Sequence, residues 1–227
     1  QASGVWQPFM WVLSALTMTV GNVVALRQTN IVRMMAYSSI SQGGFVLMPL
    51  AVAGMSEVSS SALRSVVVYM LVYAATNLGM FAVIIAVSRK TRSGEISSWG
   101  GLFSYAPGLA TLATIFLASL AGIPPLGGWI GKFTAFQSLL SSGTNWGYAL
   151  ALIGAVNSVV AFGYYGTIMR EMWMKPVPDG DTTRVVVPGS LALALGLTCV
   201  ATLVLGVLPG VATHFGDIAR ITGAFGG

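Results

Sequence analysis

Residues 108–141 form an apolar run of 34 residues that holds one charge, Lys132, and two adjacent prolines, Pro124 and Pro125. A straight helix of that length would rise about 51 Å at 1.5 Å per residue. The hydrocarbon core of a bilayer is only about 30 Å thick. Pro124 and Pro125 lack a backbone N–H, so the carbonyls near Leu120 and Ala121 lose their helical partners. Ile123, preceding a proline, is pushed away from the α region. Gly127, Gly128 and Gly131 let the backbone bend and re-enter a helix. The run therefore predicts two half-helices around a break near residues 123–128. At membrane depth such a break is tolerated only where it is buried in protein or lines a wet cavity.

The rest of the chain is built for the same solvent. Of 227 residues, 55% are hydrophobic and only 7% charged, with mean hydropathy +0.81. A soluble domain carries about 25% charged residues. The expected fold is an all-α integral membrane protein with one membrane domain over residues 1–227. Its six transmembrane segments fall at about 5–26, 34–53, 62–88, 108–141, 145–173 and 188–208, the fourth being the broken one. Residues 89–107 are a polar connection with one short surface helix. The tail with His214, Asp217 and Arg220 is interfacial. Residues 1–4 carry neither an initiator Met nor a signal-peptide pattern, so the chain is expected to begin partway through a longer polypeptide.

The formal charge of +5 does not mark a nucleic-acid partner, because the basic residues fall between the apolar runs. The lipid bilayer is the partner they imply. Residues 27–33, 89–107 and 170–187 share one side and carry eight basic residues: Arg27, Arg33, Arg89, Lys90, Arg92, Arg170, Lys175 and Arg184. The other side carries two, Arg64 and Arg220. That asymmetry places the first set in the cytoplasm and the start of the chain on the outer face. Cys199 lies inside an apolar run and has no second cysteine to pair with.

Lys132 is left over from this count. It lies nine residues before Ser141, about 14 Å along a helix and near mid-membrane. A charged lysine there costs roughly 3 kcal/mol on insertion scales. Burial and the positive end of the second half-helix oppose its charge. The freed carbonyls around Leu120 and Ala121 favour it by accepting bonds from the ammonium. These opposed effects poise Lys132 to gain and lose a proton as its surroundings change. The alternative is a structural lysine paired with a carboxylate on a partner chain. Tyr69, Tyr73 and Asn77 recur every four residues on one helical face, which suits a hydrogen-bonded packing stripe or a hydrated path. Ser38, Ser39 and Ser41 in the second run are further polar candidates. No metal-ligand cluster, phosphate loop or nucleophile–base set appears in the sequence.

Two stretches resemble a known family. Residues 21–44, with Gly21, Asn22, Ala25, Leu26, Gln28, Asn30, Arg33 and then Ala36-Tyr37-Ser38-Ser39-Ile40, resemble the GNxxALxQxNxKRxLAYSSIxxxG stretch of the antiporter-like proton-pumping subunits of respiratory complex I. Residues 120–132 resemble that family's LAGIPPxxGFxGK. Lysine rather than glutamate at 132 argues against the M-type subunit, and the IPP and QTN tripeptides are most similar to the N-type. Ala161-Phe162-Gly163-Tyr164-Tyr165 is similar to the tyrosine-rich end of the family's next helix. Val32 stands where the family pattern has lysine, so no role of that lysine carries over.

The resemblance implies the ninth to fourteenth helices of a fourteen-helix subunit, its N-terminal half missing from this sequence. Lys132 matches the broken-helix lysine of the second half-channel, with Pro124, Pro125, Gly127, Gly128 and Gly131 forming the break. The implied role is that of a non-redox, proton-translocating subunit of a bacterial plasma-membrane NADH–quinone oxidoreductase. FMN, iron–sulfur clusters and quinone would be held by partner subunits and no cofactor by this chain. Its partners would be the M-, K- and J-type membrane subunits. A subunit of a multi-subunit cation/proton antiporter or of a membrane-bound hydrogenase is the alternative, and a scaffold with a dead channel a third reading.

Overall fold

In the computed structural model, residues 3–218 are described, and they form nine α-helices. Arg220 and the rest of the tail from residue 219 lie outside them. In chain order the helices are α1 (Ser3–Ala25), α2 (Ile31–Leu47), α3 (Ser59–Thr91), α4 (Leu102–Tyr105), α5 (Pro107–Ala121), α6 (Gly127–Ser141), α7 (Asn145–Met174), α8 (Gly189–Val207) and α9 (Pro209–Ile218). Four of them, α1 from Val5, α3, α7 and α8, are long and apolar enough to cross a membrane. α2 has 17 residues and runs on into a 3₁₀ turn, Met48–Val52. α5 and α6 have 15 residues each.

Local chemistry sets the helix ends. The Asn30 side chain accepts from the amides of Val32 and Arg33, opening α2, and Thr144 does the same for Gly147 in α7. Both are N-caps that satisfy otherwise orphaned donors. Pro107 sits in the first turn of α5, where its missing N–H costs nothing.

α3 is the spine of the molecule and packs against α5, α6, α8 and α9. α1 and α2 lie backbone to backbone. A methyl group at Gly21 would be 2.6 Å from the Ser41 nitrogen, and one at Gly44 would be 2.5 Å from that of Met18. Without a hydrophobic drive between helices in lipid, this small-residue approach is what van der Waals packing requires. The buried side chains form two main clusters. One gathers Met34, Met80, Trp99, Phe116 and Tyr165; the other gathers Met18, Phe45, Met48, Tyr69 and Leu139. Tyr73 packs against both.

The connections carrying the eight basic residues meet at one end. Ile31 N donates to Gly94 O and Ile96 N to Thr29 O, each at 2.7 Å, and Gly101 N donates to Glu171 O. Lys90 donates to the carbonyls of Asp181 and Thr183 and lies 3.9 Å from the centre of the Tyr105 ring. Where a short surface helix is expected within residues 89–107, a 3₁₀ turn (Ile96–Trp99) and the one-turn α4 instead fold onto the core. The reason is the three-residue spacing of Ile96, Trp99, Leu102 and Tyr105, all buried. Arg64 and Asp217 pair at 3.2 Å on α3 and α9.

Candidate functional site

The last turn of α5 accounts for every one of its carbonyls. Gly122, at φ +92°, donates to Ser119 O, and Ile123 N donates to Ala118 O. This is the glycine-terminated Schellman arrangement, and it leaves Leu120 O and Ala121 O to find partners elsewhere. Gln42 Nε2 donates to Leu120 O at 3.1 Å. Lys132 Nζ donates to Ala121 O at 2.9 Å. A buried carbonyl without a partner would cost about 1–3 kcal/mol, so both side chains are tied to the end of this helix.

Residues 122–126, with a cis bond between Pro124 and Pro125, carry the chain to α6. The orphaned donor Gly128 N is capped from the neighbouring helix, by Ser119 Oγ at 2.9 Å. The Ser119 hydroxyl is itself 3.2 Å from that of Thr76, which is 3.3 Å from that of Thr202. A methyl group at Gly128 would lie 1.7 Å from the Ser119 carbonyl oxygen. Only glycine lets α6 start this close to the end of α5.

Lys132 stands near the start of α6 and is 5% exposed. Its aliphatic stem crosses Gly122, where a methyl group would meet Cδ at 2.9 Å. Its ammonium lies 4.8 Å from the centre of the Phe45 ring, which in turn stacks on Tyr69. Among the described residues the ion pairs are Arg64–Asp217 and Lys90–Asp181, and no carboxylate faces Lys132. Among the described residues the ammonium is held by the Ala121 carbonyl and the Phe45 ring face. Both contacts favour the charged form, through a charge-assisted hydrogen bond and the ring quadrupole.

A hydrogen-bonded chain leads away from the break. Tyr69 OH donates to Gln42 Oε1, Gln42 Nε2 reaches Tyr165 OH at 3.2 Å, and Tyr165 bonds to Ser38. The ring of Tyr164 lies edge-on to that of Tyr165. Its hydroxyl donates to Asn22 Oδ1, Asn22 Nδ2 donates to Asn157 Oδ1, and Asn157 Nδ2 donates to Thr19 Oγ1. Beside Gln42, Tyr69, Tyr73, Thr76 and Ser119 is a cavity of about 10 Å³, the scale of a single water. Toward the Arg64–Asp217 pair, Ser65 donates to Thr134 O at 2.9 Å. There a groove of about 520 Å³ opens between α3, α6 and α9, lined by Ser61, Ser65, Thr134 and Ser138 among others.

The residues singled out from sequence fall into three groups. Lys132, Tyr69 and Ser38 belong to the bonded assembly. Tyr73 lines the small cavity, with Ser39 beside its hydroxyl. Ser41 is buried on the α1-facing side of α2, and neither Ser41 Oγ nor Asn77 Oδ1 has a hydrogen-bond partner among the described residues. Gln42, Tyr165, Ser119 and Phe45 also belong to the assembly, and the sequence alone assigns them no role. Gln42 falls on the face of α2 that carries Ser38, one turn on, which is the one local signal that marks it.

A family model described as "NADH:quinone oxidoreductase/Mrp antiporter, TM" matches residues 1–159. Subunit N of the NADH-quinone oxidoreductase of Trichlorobacter lovleyi is 38% identical over 94% of this chain. The chain spans 42% of that relative's length. Among solved structures, a chain of respiratory complex I from Thermus thermophilus with bound aureothin is 27% identical. It superposes with a TM-score of 0.71 over 91% of this chain and 45% of that one. A chain of the Mrp complex from a Dietzia species has the same fold, at 20% identity and a TM-score of 0.82 over 93% of this chain and 46% of its own.

Proposed function

The chain belongs to the NADH:quinone oxidoreductase/Mrp antiporter transmembrane family, and on that premise we propose that it is part of a proton-translocating membrane subunit of an NADH–quinone oxidoreductase. In this reading α2 with its 3₁₀ extension makes one crossing and α5 with α6 another, interrupted at residues 122–126. With α1, α3, α7 and α8 this gives six. The basic end faces the cytoplasm of a bacterial plasma membrane, by the excess of lysine and arginine there.

Lys132 carries the proton. Protonated, its ammonium is held by Ala121 O and the Phe45 face; deprotonated, it is a neutral amine that apolar surroundings accept. A change in electrostatics across the interface with a neighbouring membrane subunit shifts the balance between these two states. Tyr69, Tyr73, Asn77, Ser38, Ser39 and Ser41 are the candidates for the path to Lys132. Redox chemistry belongs to partner subunits holding FMN, iron–sulfur clusters and quinone, and the membrane partners are M-, K- and J-type subunits. The observation that carries the reading is a buried lysine bonded to a freed carbonyl at a helix break, with no carboxylate beside it among the described residues.

The Mrp likeness supports a second reading, a subunit of a multi-subunit cation/proton antiporter, through fold alone. Purifying the complex that contains the full-length subunit separates the two. The first reading expects NADH oxidation coupled to acidification of inside-out vesicles. A preparation that instead exchanges cations for protons without responding to NADH overturns it.

A further inference from the structure

Gln42 ties three helices to its own. It is 2% exposed, and its amide has one acceptor and two donor hydrogens. Leu120 O can only accept, so Nε2 must face it. Oε1 then faces Tyr69, which must donate to it. The second Nε2 hydrogen meets the Tyr165 oxygen, leaving the Tyr165 hydrogen for Ser38. One carbonyl at the end of α5 thereby sets the direction of every bond from Tyr69 to Ser38.

We propose that Gln42 is a positioning residue for Lys132: by holding Leu120 O it reserves the neighbouring Ala121 O for the lysine, and it orients the Tyr69 and Tyr165 hydroxyls that bond to its own amide. The inference rests on the reading of Lys132 as the proton carrier. Without the amide, Leu120 O is a buried acceptor one residue from the carbonyl that Lys132 uses. It then competes for the ammonium and draws the lysine out of place.

The test uses the whole complex in inside-out vesicles, with NADH-driven acidification as readout and assembly checked on native gels. Gln42→Met removes the amide at nearly unchanged volume. Gln42→His keeps one donor and one acceptor. The expected result is an assembled Met variant that pumps about tenfold more slowly and a His variant that recovers most of the rate. Packing alone would not produce that rescue. A Met variant pumping at the wild-type rate, or a His variant as slow as Met, overturns the proposal. If the Met variant fails to assemble, Gln42→Asn, which withdraws the amide by one methylene, replaces it under the same criteria. Lys132→Ala in the same membranes separates the two levels. If it pumps normally, the proton-carrier reading fails and the inference with it. If it is inactive while Gln42→Met is normal, only the inference fails.

Discussion

Lys132 and Gln42 hold neighbouring carbonyls of one helix end: Nζ donates to Ala121 O at 2.9 Å and Nε2 to Leu120 O at 3.1 Å. A helix normally leaves its last carbonyls to water or to a cap. Here glycine closure takes two of them, and buried side chains from α2 and α6 take the other two. The position of Lys132 therefore depends on the geometry of the break, and each part of that geometry can be tested separately.

Gly122 and Gly143 both have positive φ, +92° and +64°, and differ in their surroundings. Alanine at Gly143 meets open space and costs only backbone strain, about 1–2 kcal/mol. Alanine at Gly122 adds a 2.9 Å contact with Lys132 Cδ. The expected outcome is a lowered thermal midpoint in both variants, with loss of NADH-driven acidification in Gly122→Ala alone.

Ser119 caps α6 across the break. Ser119→Ala leaves Gly128 N without its partner and is expected to cost about 1 kcal/mol. Thermal unfolding of the purified complex, or faster hydrogen exchange over the first turn of α6, checks it.

Gly128→Ala places a methyl group 1.7 Å from backbone oxygen, which no rotamer relieves, so the variant is expected not to assemble. Gly166→Ala and Gly196→Ala enter open space and should assemble normally. Native-gel yields of the three variants compare them directly.

Much of this was legible in the chain and some was not. The family, and the membrane-helical character, follow from local strings: the Gly21–Gly44 stretch, the prolines at 124 and 125, and long apolar runs. Those signals need only neighbours in sequence. The Gln42 bonds join residues 78 and 123 positions apart, and the Asn22–Asn157 bond spans 135. No periodicity encodes such pairings, because they depend on how helices are rotated against one another. Trp99 and Leu102 misled for a related reason. Their short segment reads as polar by its charges, while its apolar residues at intervals of three are what decide where it packs.

At the basic end, hydrogen bonds from Thr183 hold the Asp181 carboxyl below its ordinary value, with Lys90 adding to the effect. A depressed carboxylate contributes stability that is fully present above its unfolded value of about 3.9. That stability is lost as pH falls through the lower folded value. Limited proteolysis of residues 176–187 should therefore be unchanged between neutral pH and about 5 and rise at stronger acidity. Asp181→Asn should show the released pattern at neutral pH.

The central claim is that Lys132 carries the proton, and Lys132→Ala tests it most directly. The measurement is NADH-driven acidification of inside-out vesicles, with assembly of the complex verified in the same membranes. The account predicts an assembled complex whose pumping falls by about tenfold or more. Pumping at the wild-type rate from an assembled Lys132→Ala complex would contradict it and leave the lysine a structural clasp on the end of α5.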